Sequence, residues 1–398
     1  MIEIGIVGKP NVGKSTLFSA LTMHEVPIAN YPFTTIDANI GVGFVRVDCV
    51  CREFGVKDNP RNSCCIEGKR FIPVKVIDTA GLVPDAWRGR GLGNQFLNKI
   101  SMSDVIIHVI DLAGSTDIEG KPAPPGSHDP LEDIHFLERE LVMWLYKILE
   151  DNWHSLEKSY FHRKIELSQA LYSIYSGVKI DIQHIESALE KLDLKNKKPS
   201  SWTREDKINL AKYILINSKP ILLAGNKLDI PISEKNLDRI KDAGYNIIPI
   251  SALAELTLRK LANDGVIRYI PGDSNFKVIN SNAITDRMEK GLTIISRLMQ
   301  KFNGTGVQSL INYAVFKILD MIVVYPVRDP NKLTDRDGNV LPDAYLVKRG
   351  TTLKEFAGII HSDLAKNILY GIDVRRKVRI KSDYVLRNND VISIVTVK

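Results

Sequence analysis

The chain has 398 residues, 44% of them hydrophobic and 25% charged, which is enough for two or three domains with sizeable cores. No apolar run reaches bilayer length, and the N-terminus enters a strand directly without a leader layout, so a cytoplasmic protein with no membrane partner is expected. The net charge of +7 and a pI near 9.0 suit an anionic partner.

Residues 2–7 read as a buried strand and residues 15–22 as a helix start. The turn between them, Gly8-Lys9-Pro10-Asn11-Val12-Gly13-Lys14-Ser15 followed by Thr16, has phosphate-loop spacing. Such a turn aims backbone N–H groups at an anion, with the helix dipole behind them. Lys14 is expected to neutralise the β- and γ-phosphates, and the Ser15 hydroxyl to ligate Mg²⁺. In the proline-containing loop that follows, Thr35, with Thr34 as the alternative, is expected to meet Mg²⁺ and sense the γ-phosphate.

Residues 41–47 and 71–77 read as strands, the second running into Asp78-Thr79-Ala80-Gly81. A carboxylate and a glycine hinge at a strand end predict Mg²⁺ held through a water by Asp78 and a γ-phosphate bond from the Gly81 N–H. The glycine-rich run from Arg88 to Gly93 fits a second switch. After a buried strand at 104–111 there is far more chain than a crossover needs. Leu131, Ile134, Leu137, Leu141, Trp144, Leu145 and Ile148 recur at helical spacing. Ile185, Leu189 and Leu192 suggest a second helix, and Thr203 with Asp206 caps a third. A helical insertion over residues 128–217 is therefore expected.

The strand at 220–225 delivers Asn226-Lys227-Leu228-Asp229. The Asp229 carboxylate can accept both N1–H and N2–H₂ of guanine, with Asn226 buttressing the loop and Lys227 covering the ring. Adenine lacks those donors and would leave the carboxylate unpaired. A strand at 245–250 leads to Ser251-Ala252-Leu253, where the Ala252 N–H can meet guanine O6. The nucleotide unit is thus read as residues 1–127 and 218–314, a doubly wound α/β fold. Alternation from Ala314 through Ile318, Met321, Val323 and Tyr325 opens a small α+β unit of β-grasp type over residues 315–398, with a helix near 352–360 and a last strand at 390–397. From Tyr345 to Lys398 there are eleven Lys or Arg against five Asp or Glu, densest at 375–381. That run reads either as a solvated strand or as an RNA phosphate surface. Cys49, Cys51, Cys64 and Cys65 follow no standard zinc spacing, and a cytosolic chain argues against disulfides, so free structural thiols are expected, with a metal site or a redox role as the alternatives.

The ordered set of phosphate loop, threonine switch, DTAG, NKLD and SAL resembles the translation-factor class of GTPases. More narrowly, GKPNVGKST followed by NYPFTT resembles the Obg family. The helical insertion and a C-terminal module containing YPV, LPDAYLVKRGTT and NNDVISIV resemble the archaeal-like branch of its YchF-type members, which carry a TGS domain. The resemblance covers essentially the whole chain. It implies a P-loop G domain with an inserted helical domain and a C-terminal TGS domain, which binds GTP and GDP and hydrolyses GTP with Mg²⁺. It also implies a ribosome or RNA partner held by the TGS surface and the insertion. The better-known YchF proteins have an altered base motif and prefer ATP, whereas NKLD here predicts GTP; an ATPase and a GTP-gated RNA-binding module are the alternatives. Leu253 departs from the usual Lys but leaves the backbone contact. Leu82 stands where Ras-type enzymes have the water-orienting Gln, so slow intrinsic turnover is expected. Asn11 matches the residue that holds K⁺ in potassium-activated relatives.

Overall fold

The computed structural model describes residues 1–22, 39–89, 100, 102–163 and 165–397. Thr34, Thr35 and the 90–93 part of the second switch lie outside the described residues. The nucleotide unit is a seven-stranded sheet in the order β2-β4-β1-β5-β6-β7, with β3 paired to β4. Its strands are β1 (Glu3–Val7), β2 (Ile40–Asp48), β3 (Cys64–Ile66), β4 (Lys69–Asp78), β5 (Val105–Asp111), β6 (Ile221–Asn226) and β7 (Ile247–Pro249). β1, β4, β5, β6 and β7 run parallel, while β2 is antiparallel to β4. Ile4 and Ile6 have no exposed surface, as expected where both faces of a parallel sheet are covered. Because β1 lies between β4 and β5, the loops after β1, β4, β5 and β6 leave from one edge of the sheet, at its switch point.

The helices of this unit are α1 (Lys14–Thr22) and the short α2 (Cys51–Phe54). Beyond β5 follow α3 (Pro130–Asp151), α4 (Trp153–Arg163), α5 (Leu167–Tyr175), α6 (Ile182–Lys191) and α7 (Arg204–Ser218). The sequence periodicity shows α3, α6 and α7; α4 and α5 carry too mixed a pattern to stand out. Thr203 and Asp206 close a reciprocal capping box at the start of α7. Leu141, Trp144, Leu171, Leu189, Leu210 and Ile214 share one core with Val7, Ile106 and Leu82. The insertion is therefore packed onto the sheet over a continuous apolar surface. The chain continues through α8 (Ile232–Asp242), α9 (Ala252–Asn263), the pair β8 (Ile267–Arg268) and β9 (Lys277–Val278), α10 (Asp286–Phe302) and α11 (Val307–Tyr313).

The C-terminal unit is a five-stranded sheet, order β11-β10-β14-β12-β13, formed by β10 (Met321–Val327), β11 (Tyr345–Lys348), β12 (Ile368–Asp373), β13 (Val378–Ile380) and β14 (Asp390–Thr396). β10 and β14 are parallel and central. α12 (Leu353–Ile360), with its own Thr352–Glu355 capping box, lays Leu353 and Phe356 against Ile322, Val324 and Ile392, and α13 (Ser362–Lys366) follows. This is the β-grasp arrangement. One sequence expectation is corrected. Residues Ala314–Ile318 form a π-helical turn after α11, and the strand begins only at Met321. Ile311, Ala314, Val315 and Ile318 also fit three- and four-residue spacing, and burial of that face beside the sheet decides between the two periods.

Candidate functional site

The loop after β1 holds its shape through backbone positions few side chains tolerate. Gly8 has φ +148°, and a Cβ there would lie 2.5 Å from the Val109 carbonyl oxygen. Gly13 has φ +97°, with a hypothetical Cβ 2.2 Å from the Asn226 amide nitrogen. Glycine is required at both by conformation and by close approach. Asn11 sits at φ 62°, and its amide donates to the Gly120 carbonyl at 2.8 Å. Val12 is fully buried, anchoring the loop to the sheet, while Pro10 is flanked by Gly81 and Gly120, where any Cβ would strike it.

Lys14 opens α1 and is buried, its ammonium donating to the Lys9 carbonyl at 2.8 Å. Burial pushes it down to about 8, with the Asp78 charge opposing the shift. Its charge is therefore maintained at neutral pH. The Ser15 hydroxyl donates to Asp78 Oδ2 at 3.0 Å. Two hard oxygen donors, one on α1 and one at the end of β4, thus converge beside the phosphate loop. They fit Mg²⁺, which binds through one or two protein oxygens plus phosphate and water. Thr16, next in the helix, is half-buried. Leu82 lies after Gly81 with 1% exposure, packed in the insertion core, and its apolar side chain has no atom that could hold a water.

At the end of β6, beside the phosphate loop, Asn226 spans two loops. Its amide donates to the Val12 carbonyl at 2.8 Å, and its Oδ1 accepts the Ala252 N–H at 3.0 Å. The buttress expected of Asn226 is present. The Ala252 N–H is already used by it, so guanine O6 would have to share that donor. Asp229 Oδ1 accepts the Ser251 hydroxyl at 2.7 Å, which fixes one oxygen of the carboxylate. Ser251 also caps α9 at the Ala254 N–H, and Leu253 is exposed. Lys227 is not free over the cleft: its ammonium meets Asp111 Oδ2 and Ser115 Oγ, both at 2.9 Å.

Three comparisons with known proteins bear on this arrangement. Family models match residues 3–145 as "50S ribosome-binding GTPase", 224–329 as "Obg-like GTPase YGR210-like, G4 motif-containing domain" and 334–396 as "TGS domain". An uncharacterized GTP-binding protein of Methanocaldococcus jannaschii is 46% identical over 100% of this chain and 99% of its own length. The chain belongs to the YchF-type GTPases of the Obg family. The ribosome-binding ATPase YchF of Bacillus subtilis is 27% identical over 98% of both chains. The crystal structure of a GTP binding protein from Pyrococcus horikoshii superimposes with TM-score 0.78 at 38% identity, covering 100% of each chain.

The family motifs did not reveal the polar network around them. Lys9, at a free position of the phosphate loop, is 2% exposed. Its ammonium lies 2.9 Å from Asp133 Oδ1 on α3 and 2.9 Å from the Thr116 carbonyl. His128 Nε2 shares the same Asp133 oxygen at 2.7 Å. Burial raises Asp133, and Lys9 opposes that shift. Asp111 accepts from the hydroxyls of Ser115 and Thr116 as well as from Lys227. The available signal was a charged residue on an otherwise apolar face: Asp133 in α3, and Asp111 ending an apolar strand.

Proposed function

We propose that this chain is a Mg²⁺-dependent, guanine-selective GTPase, a cytoplasmic switch whose turnover is raised by the ribosome or by RNA. Base selection rests on one observation, the Asp229 carboxylate pinned through one oxygen by Ser251 at 2.7 Å. A carboxylate held in this way offers its other oxygen to the N1–H and N2–H₂ edge of guanine, and an adenine would leave it unpaired.

In this reading Gly8 to Thr16 cradle the phosphates and Lys14 neutralises them. Ser15, Asp78 and Thr35 would hold Mg²⁺, which supplies charge neutralisation on the β- and γ-phosphates. Gly81 and Thr35 sense the γ-phosphate. The attacking water is not oriented by Leu82, which is buried, so intrinsic turnover is slow. Asn11 donates its amide to Gly120 and keeps Oδ1 for a K⁺ ion beside the phosphates. The boundaries that go with this reading are residues 1–127 and 218–314 for the G domain, 128–217 for the insertion and 315–398 for the TGS domain.

The test is GTP and ATP turnover in K⁺ and in Na⁺ buffer, with and without ribosomes, for the wild type and Asp229→Asn. GTP should be preferred, K⁺ and ribosomes should each accelerate it, and Asp229→Asn should lower GTP affinity at least about 100-fold while sparing ATP. ATP preference in the wild type would overturn the base assignment. Ribosome-independent turnover together with nucleotide-dependent RNA affinity would favour the RNA-binding module instead, a reading supported by the exposed basic side chains around β13.

A further inference from the structure

Between β2 and β4 the chain makes an excursion that the nucleotide site does not use. Cys49 follows β2, Cys51 opens α2, Asp58 lies in the loop after it, and Cys65 is on β3 opposite Arg70. Their four ligand atoms, three thiol sulfurs and a carboxylate oxygen, all lie within 4.8 Å of one another. Cys49 Sγ is 3.1 Å from Asp58 Oδ2, and Cys51 Sγ is 3.8 Å from Cys65 Sγ. Two sulfurs bound at zinc–sulfur length in a tetrahedron stand about 3.8 Å apart. Cys64 is on the opposite face of β3, packed against Phe44 and Phe71, and takes no part.

We propose that Cys49, Cys51, Cys65 and Asp58 form a structural site for a tetrahedrally coordinated, thiophilic divalent cation, Zn²⁺. The donor set selects for it: three soft sulfurs and one oxygen suit Zn²⁺ and exclude the oxygen-seeking Mg²⁺ and Ca²⁺. Four converging donors also argue against a simple disulfide, which would use two. Three thiolates and a carboxylate around Zn²⁺ leave two negative charges, and the fully buried Arg70 offsets one, its guanidinium 2.7 Å from Asp58. Arg70 also donates to the Leu341 carbonyl at 2.6 Å and lies over the Tyr325 ring. The site therefore sits at the seam between the nucleotide unit and the C-terminal sheet, where a closed metal centre would fix the 49–65 excursion against β10. The sequence spacing conceals it because the ligands become neighbours only when β3 folds back along β4.

The experiment is metal analysis of the full chain purified under reducing conditions, then titration of the metal-free chain with Co²⁺ as a spectroscopic stand-in. One Zn²⁺ per chain is expected, and Co²⁺ should give strong visible bands of tetrahedral symmetry with a thiolate-to-cobalt band in the near ultraviolet. Cys65→Ser should weaken the metal by more than about 100-fold, above what loss of an outer supporting group costs. Cys64→Ser should bind as the wild type does. Cys51→Ser, which leaves Asp58 in place to hold the buried Arg70, is the second variant should Cys65→Ser fail to fold, and it should likewise shift the cobalt spectrum and weaken binding. The proposal is overturned by a wild-type chain that neither carries Zn²⁺ nor develops cobalt bands, by a Cys51–Cys65 disulfide in the chain as first purified under reducing conditions, or by bands that survive in Cys65→Ser.

Discussion

His108 lies on β5 across from Val7, the residue that leads into the phosphate loop. It is pushed down to about 3, first by burial and then by the nearby charges of Lys14 and Lys9. The folded chain keeps this imidazole neutral, whereas the unfolded chain protonates it near its ordinary value. Stability from this residue is complete above about pH 6.5 and is lost as pH falls toward 3, by about 1.4 kcal/mol per unit. His108→Leu should therefore flatten the pH dependence of stability in this window, measured by denaturant unfolding at pH 7 and pH 5. An unchanged slope would mean that the imidazole finds a proton in the folded chain. Lys14, by contrast, titrates near 8 and holds its charge throughout that window.

α3 is the element that ties the insertion to the nucleotide site. Its apolar stripe was legible from the sequence, but two buried carboxylates interrupt it. Asp133 pairs with Lys9, and Glu140 accepts the N–H groups of Asp85 and Trp87 at 3.0 and 3.2 Å. One helix thus grips both the phosphate loop and the turn after Gly81. Replacing Asp133 by Asn leaves the Lys9 ammonium buried without its counter-charge, which costs about 3–5 kcal/mol when a buried pair is broken. Asp133→Asn should lower the denaturation midpoint accordingly and weaken nucleotide binding through the loop. A variant as stable as the wild type would show that Lys9 finds another partner, such as the Thr116 carbonyl it already meets.

At the scale of the molecule, the two sheets share a core in which Ile72 and Val74 of β4 join Val323 and Tyr325 of β10 and Val391 of β14. The basic C-terminal run divides at this seam. Arg375 turns inward, its guanidinium meeting Glu53 at 2.5 and 2.8 Å, while Arg376, Lys377, Arg379 and Lys381 are exposed. The exposed basic face of the run therefore consists of the other four residues. Changing Arg376, Lys377, Arg379 and Lys381 to Gln should weaken RNA binding and flatten its salt dependence, by about 0.7–0.9 in log–log slope for each phosphate no longer neutralised. Arg375→Gln should leave that slope unchanged. Filter binding across a salt series distinguishes the two, and equal slopes for all variants would remove the RNA surface from β13.

Local order along the chain determined much of this protein. A glycine-rich turn between strand and helix, an acidic strand end and an Asn-Lys-x-Asp loop are each patterns within a few residues, so Lys14, Ser15, Asp78, Asn226 and Asp229 can be named as candidates before any fold is known. The strands of the parallel sheet and the capped α7 and α12 were legible because burial on both faces and reciprocal caps leave local patterns. What depends on neighbours distant in sequence was decided only by folding. Residues 314–318 became helical through packing, Lys227 turned to Asp111, and Lys9 found Asp133. Cys49, Cys51, Asp58 and Cys65 converged across a sheet edge. These side chains are fixed by pairing and desolvation across the molecule, and such energies depend on where the chain returns rather than on which residue comes next.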